Sequence, residues 1–186
     1  LEFLSLRNCR ITGTGLESAR LPSLKILDLT GTSISDDSLK GLTALSRLEE
    51  LFLGETAISG NGVLLLGELR SLEKLNLSGT TVSEATVEAL DHFPALEQLF
   101  LDDCALSDDV ANALLLKLTQ SNPRLRALSL AGTDISDESI GSLEALGKLS
   151  ELAIVQLQAT RITQVAFVGL AEALPDVDFS VDYPVE

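Results

Sequence analysis

The sequence predicts an α/β solenoid, a stack of about seven units that each contribute one short parallel strand and one short helix. Three observations predict it. A leucine spacing recurs every 23 to 29 residues, apolar and polar residues alternate at the start of each unit, and the second half of each unit changes to apolar spacings of three or four. Composition agrees: hydrophobic residues make up 45% of the chain, yet there is no Met or Trp and aromatics reach only 4%. A core built so largely from leucine solves one small packing problem repeatedly instead of interlocking many shapes.

The repeat carries the pattern L-x-x-L-x-L-x-x-(T/C)-x-(I/L/V)-(S/T), starting at Leu1, Leu24, Leu48, Leu72, Leu96, Leu125 and Leu152. Only Val155, in the second leucine slot of the last segment, departs from its core. Within a unit, Leu75 and Leu77 alternate with Lys74, Asn76 and Ser78, a period of two that gives a strand with one buried face. Downstream, Leu39, Leu42 and Leu45, or Val87, Leu90 and Phe93, are spaced for one face of a helix. Units running in the same sense give a parallel sheet on one side and helices on the other.

Position twelve bears a hydroxyl in every unit: Thr12, Ser35, Ser59, Ser83, Ser107, Ser136 and Thr163. A hydroxyl there can cap the free N–H groups of the first helical turn. The acids that often follow, such as Asp36, Asp37, Asp108 and Asp137, sit at the positive end of the helix dipole. They therefore read as structural. Position nine is Cys9, Thr32, Thr56, Thr80, Cys104, Thr133 and Thr160, where small polar groups can satisfy turn backbone of neighbouring units, each worth roughly 0.5–1.5 kcal/mol net.

Segments such as Leu72-Glu-Lys-Leu75-Asn-Leu77-Ser-Gly-Thr80-Thr-Val82-Ser83 resemble the leucine-rich repeat nearly position for position, over about residues 1–175. Thr or Cys at position nine resembles the cysteine-containing and ribonuclease-inhibitor-like branches. The resemblance implies a curved parallel sheet on a concave face, short convex helices, a structural ladder at the seven position-nine residues, and binding on the concave sheet.

The chain is expected to form a single domain over residues 1–186. Leu1 opens in mid-motif without a Met, so the sequence is read as a fragment of a longer chain with further repeats or a cap before it. At the other end Val177-Asp-Phe179-Ser-Val181 alternates like an eroded closing strand, and the pattern stops at Tyr183-Pro184.

No catalytic constellation is legible. The single histidine, His92, falls at the end of an outer helix and has no second histidine to work with. Cys9 and Cys104 stand four strand spacings apart, roughly 19 Å at about 4.8 Å per strand and too far for a disulfide. They read as lone buried thiols of an intracellular, cytoplasmic protein. No metal or cofactor is expected. Gly13-Thr-Gly15 and Gly60-Asn-Gly62 lack a phosphate-loop lysine and fall at tight turns, and Asn76-Leu77-Ser78 is a glycosylation sequon lying inside a strand. A formal charge of −15 repels nucleic acid and anionic membranes, and no apolar run is long enough to span a bilayer.

The expected function is a non-catalytic scaffold that binds another protein with a basic and apolar surface. Alternatives are the substrate receptor of an F-box-type ubiquitin ligase and an architectural subunit. Outward positions of the strands nominate Phe52 and Phe100, two strands apart, with Glu50, Glu55, Lys74, Asn76, Asp102 and Asp103 around them. A partner's apolar side chain is expected to insert between the two phenylalanines.

Overall fold

A computed structural model describes residues 1–13, 15, 16 and 20–182, so Thr14 and the Tyr183-Pro184 end of the pattern lie outside the described residues. Eight strands form one open parallel sheet in sequence order: β1 (Phe3–Ser5), β2 (Ile26–Asp28), β3 (Glu50–Phe52), β4 (Lys74–Asn76), β5 (Gln98–Phe100), β6 (Ala127–Ser129), β7 (Ile154–Gln156) and β8 (Asp178–Ser180). The first seven occupy positions three to five of their units. Pairing is in strict register, so Leu27, Leu51, Leu75, Leu99, Leu128, Val155 and Phe179 form one inward row. Positions one, four and six are buried from β2 to β7, which is the reason the leucine spacing tolerates no polar residue there. In β8, which lacks the consensus, Phe179 fills the row and meets Phe167 edge to face at 5.6 Å.

The strands are short because the chain turns immediately after them. Position eight has a positive φ in all seven units: Asn8, Gly31, Glu55, Gly79, Asp103, Gly132 and Ala159. Glycine and non-glycine alternate, and a Cβ on Gly31 or Gly132 would run into the side-chain oxygen of Asn8 or Asp103 in the preceding unit. At these two turns the preceding side chain occupies the space a Cβ would take, whereas at Gly79 a Cβ would meet Glu55 only at contact distance. The position-nine residues act within their own units, a correction to the expectation of bonds to neighbours. Thr32, Thr56, Thr80, Thr133 and Thr160 each donate a hydroxyl to the carbonyl three residues earlier, at 2.6–2.8 Å. Only Cys104 reaches across, its thiol 3.3 Å from the Leu77 carbonyl.

Helices line the opposite side: α1 (Asp36–Leu39), α2 (Gly60–Leu65), α3 (Glu84–Ala89), α4 (Asp108–Ser121), α5 (Ile140–Glu144) and α6 (Gln164–Ala173), several extended by 3-10 turns. Ser35, Ser59, Ser83, Ser107, Ser136 and Thr163 are the residues at which these helical segments begin. Their hydroxyls do more than the capping pattern anticipates. Ser59, Ser136 and Thr163 accept from the first-turn N–H groups of their own helices. Each also gives both its N–H and its hydroxyl to an aspartate that opens the preceding helical segment: Ser59 to Asp36, Ser136 to Asp108 and Thr163 to Asp137, at 2.6–2.9 Å. The first-turn acids thus bolt successive units together. At the far end of α4, the buried amide of Asn122 donates to the carbonyls of Leu90 and Phe93, pinning this longest helix to the unit before it.

Candidate functional site

The side chains at positions three and five of each strand point away from the core, because their neighbours at position four point into it. In-register pairing places Phe52, Asn76 and Phe100 in one row and Glu50, Lys74 and Gln98 in the next. Both phenylalanines are half-buried on this face and absent from the core. The gap between them is not open to an inserted apolar side chain: the Lys74 ammonium occupies it, 5.8 Å from the Phe52 ring centre and 5.9 Å from that of Phe100. Each contact falls within cation–π range, worth about 0.5–1 kcal/mol at an exposed site. Glu50 stands 3.9 Å from the same ammonium. Four nominated residues therefore form one cluster, in which a cation is flanked by two aromatic rings.

Two of the other nominated residues, Asp102 and Asn76, are engaged within the fold. Asp102 is half-buried and accepts from Ser129, from the Ala131 N–H at 3.2 Å and from Ser78 at 3.3 Å, bracing three successive strands. Asn76 accepts from the N–H of Ser78 at 2.9 Å, a turn that Asp28 repeats with Thr30. Glu55 and Asp103 are exposed on the left-handed turn row. Position seven as a whole is less outward than the strand pattern implies, and Thr30 there is buried.

A feature that sequence inspection passed over lies on β5 to β7. The strand β6 presents only Ala127 and Ser129, while Phe100 on one side and Ile154 on the other stand above them. The result is a depression of about 200 Å³ with Gln98 and Gln156 at its rim. Ile154 is 42% exposed and Phe3, on β1, 57%. The signal was present in the position-three and position-five rows, where two small residues fall between larger ones, but it appears only when neighbouring strands are read across.

Along the strand starts, position two brings Glu49, Glu73 and Glu97 onto consecutive strands. Lys25 pairs with Glu49 at 2.8 Å, a hydrogen bond that raises the lysine pKa. Arg126 sits 3.8 Å from Glu97 and 3.9 Å from Glu151. Glu73 is exposed and has no ion pair among the described residues. Cys104 is buried, and burial pushes its thiol pKa up against hydrogen bonds that lower it; Cys9, expected to be buried, is exposed. Among the described residues no group of three His, Cys, Asp or Glu could hold a metal ion, and no helix is long and apolar enough to cross a membrane.

Comparison with known proteins bears on the fold. A family model described as Leucine Rich repeats (2 copies) matches residues 1–44, and one described as Leucine Rich repeat matches residues 121–143. No curated protein matches the chain. Similar solved structures include an internalin (inlF) from Listeria monocytogenes, with a TM-score of 0.65 and 20% identity over 99% of this chain and 54% of that one. An internalin C2 (inlC2) from the same organism gives 0.61 and 19% over 97% of this chain and 80% of that one. The chain thus spans about half the length of the first internalin. Neither comparison points to the cysteine-containing or ribonuclease-inhibitor-like branch.

Proposed function

This chain is a leucine-rich-repeat solenoid, and from that premise we propose that it is a non-catalytic scaffold whose exposed sheet face holds a partner protein. The observation that carries the reading is the composition of that face. Phe52, Lys74 and Phe100 lie side by side on a rigid, in-register sheet, with the exposed Ile154 further along it. Half-buried aromatics within a charged surround have the make-up of interaction hot spots. A charge of −15 favours a partner that brings Lys or Arg, and disfavours nucleic acid. The two free thiols, one of them exposed, fit a reducing, intracellular setting.

The test is affinity purification of the wild type beside a Phe52→Glu/Phe100→Glu variant, with mass spectrometry of the bound proteins. A folded variant that loses a specific companion supports the sheet face as the working surface. Identical companions from both proteins would place binding elsewhere and defeat the proposal.

A further inference from the structure

We propose that the depression between β5 and β7 anchors an extended, basic segment of the partner. One bulky apolar side chain would sit over Ala127 and Ser129, and a Lys or Arg about three residues away would meet Glu73. This rests on the reading that the sheet face binds protein, and it specifies where and what.

The shape argues for a side chain as the occupant. Phe100 and Ile154 form apolar walls over the smallest pair of outward residues on the central strands. At about 200 Å³ the space is below the range of roughly 300–1,000 Å³ typical of small-molecule sites. The side-chain amides of Gln98 and Gln156 at the rim make no hydrogen bond among the described residues, leaving both for the backbone of a visiting chain. The two outward rows are separated by two residues of strand, about 6.6 Å, which is narrower than the roughly 10 Å width of a helix. An extended segment crossing the strands is narrow enough to lie along these rows.

Charge sets the direction of the segment. Glu49, Glu73 and Glu97 stand on adjacent strands at about 4.8 Å spacing, so their like charges repel. Lys25 answers Glu49, and Arg126 answers Glu97 loosely while also facing Glu151. The middle carboxylate, Glu73, has no internal cation, and Lys74 beside it is held over the phenylalanine rings and toward Glu50. A partner cation at Glu73 would relieve the whole row. From β4 to β6 is two strand spacings, about 10 Å, which an extended chain covers in about three residues. That distance fixes the spacing between the cation and the apolar anchor.

The experiment is selection of short random peptides displayed on phage against the protein, followed by affinity measurements on Ala127→Trp, Glu73→Lys and Phe52→Glu. Ala127→Trp fills the depression from a position facing solvent. The expected peptides share a bulky apolar residue about three positions from Lys or Arg. Their affinity should fall about tenfold or more in Ala127→Trp. It should fall about fivefold in Glu73→Lys, with a flatter dependence on salt. Thermal melts of all variants should match the wild type. Peptides lost in Phe52→Glu but retained by Ala127→Trp would leave the sheet face as the binding surface and overturn the pocket. Peptides indifferent to all three variants would overturn both readings. Enrichment without the spacing, or no enrichment, overturns this proposal alone. So does a wild-type dimer that Ala127→Trp converts to a monomer, because the occupant is then a second copy of the chain.

Discussion

At the scale of the residue, the position-eight turn shows how one local requirement shapes the surface. Every unit needs a left-handed backbone there, which costs a non-glycine residue about 1–2 kcal/mol. Glu55, Asp103 and Ala159 adopt it nonetheless, and the polar side chains of Asn8 and Asp103 lie where Gly31 and Gly132 have no Cβ. Gly132→Ala should therefore destabilise the protein by about 1–2 kcal/mol from the backbone alone, with a further cost from displacing Asp103. Urea unfolding of the two proteins checks this, and equal midpoints would show that the turn can relax. The alternation of glycine with larger residues at position eight is visible in the sequence. Its cause is not, because the clash is between residues 23 to 29 positions apart.

At the scale of the element, the units are joined by carboxylates as well as by backbone ladders. Asp108, which opens α4, accepts from the N–H and hydroxyl of Ser136 at 2.8 and 2.7 Å and from the Ser139 hydroxyl at 2.5 Å. Burial pushes its carboxyl pKa up, but the bonds from Ser139 and Ser136 outweigh it, and the net shift is downward. A carboxylate depressed in the folded state contributes stability above its ordinary pKa, near 3.9, and that contribution is lost as pH falls through the folded value. Asp108→Asn should cost about 1–2 kcal/mol at pH 7. The gap between variant and wild type should narrow as pH falls below the ordinary carboxylate range and the folded carboxyl takes up its proton. Urea unfolding at several pH values measures it; a gap independent of pH would mean that the charge is not what joins these units. The hydroxyl at position twelve and the acid after it were legible as a helix start. That the acid also binds the next unit required the stacking, which brings each helix N-terminus beside the last.

At the scale of the whole molecule, each unit touches mainly its neighbours, so damage at one strand should spread from there along the stack. Leu75→Pro removes a buried side chain and a ladder N–H from β4 in mid-sheet, and should abolish protection of β3 to β5 in hydrogen exchange. Phe52→Glu, one strand away but on the outer face, should leave the melting temperature within a few degrees. A large drop for Phe52→Glu would place Phe52 in the core and invert the register on which both binding proposals rest. The same register explains which parts of the candidate face could be anticipated. Phe52, Glu50, Lys74 and Phe100 were nominated one strand at a time, and they do lie together. Their arrangement, with Lys74 between the rings, depends on side-chain reach across strands, which no single motif encodes. The depression at Ala127 and Ser129 was missed for the same reason.

By itself the sequence determined the repeat, the strand positions, the face that each residue within a strand takes and the sites where the helices begin. All of these follow from periods of two and of three to four within one unit, and from a hydroxyl at a fixed place in it. Tertiary structure decided what happens between units: that Cys9 is exposed while Cys104 is buried, that first-turn aspartates bind the following cap, and that Lys74 fills the space between the phenylalanines. Those outcomes turn on distances of a few ångströms between residues more than twenty positions apart, and stacking alone fixes such distances.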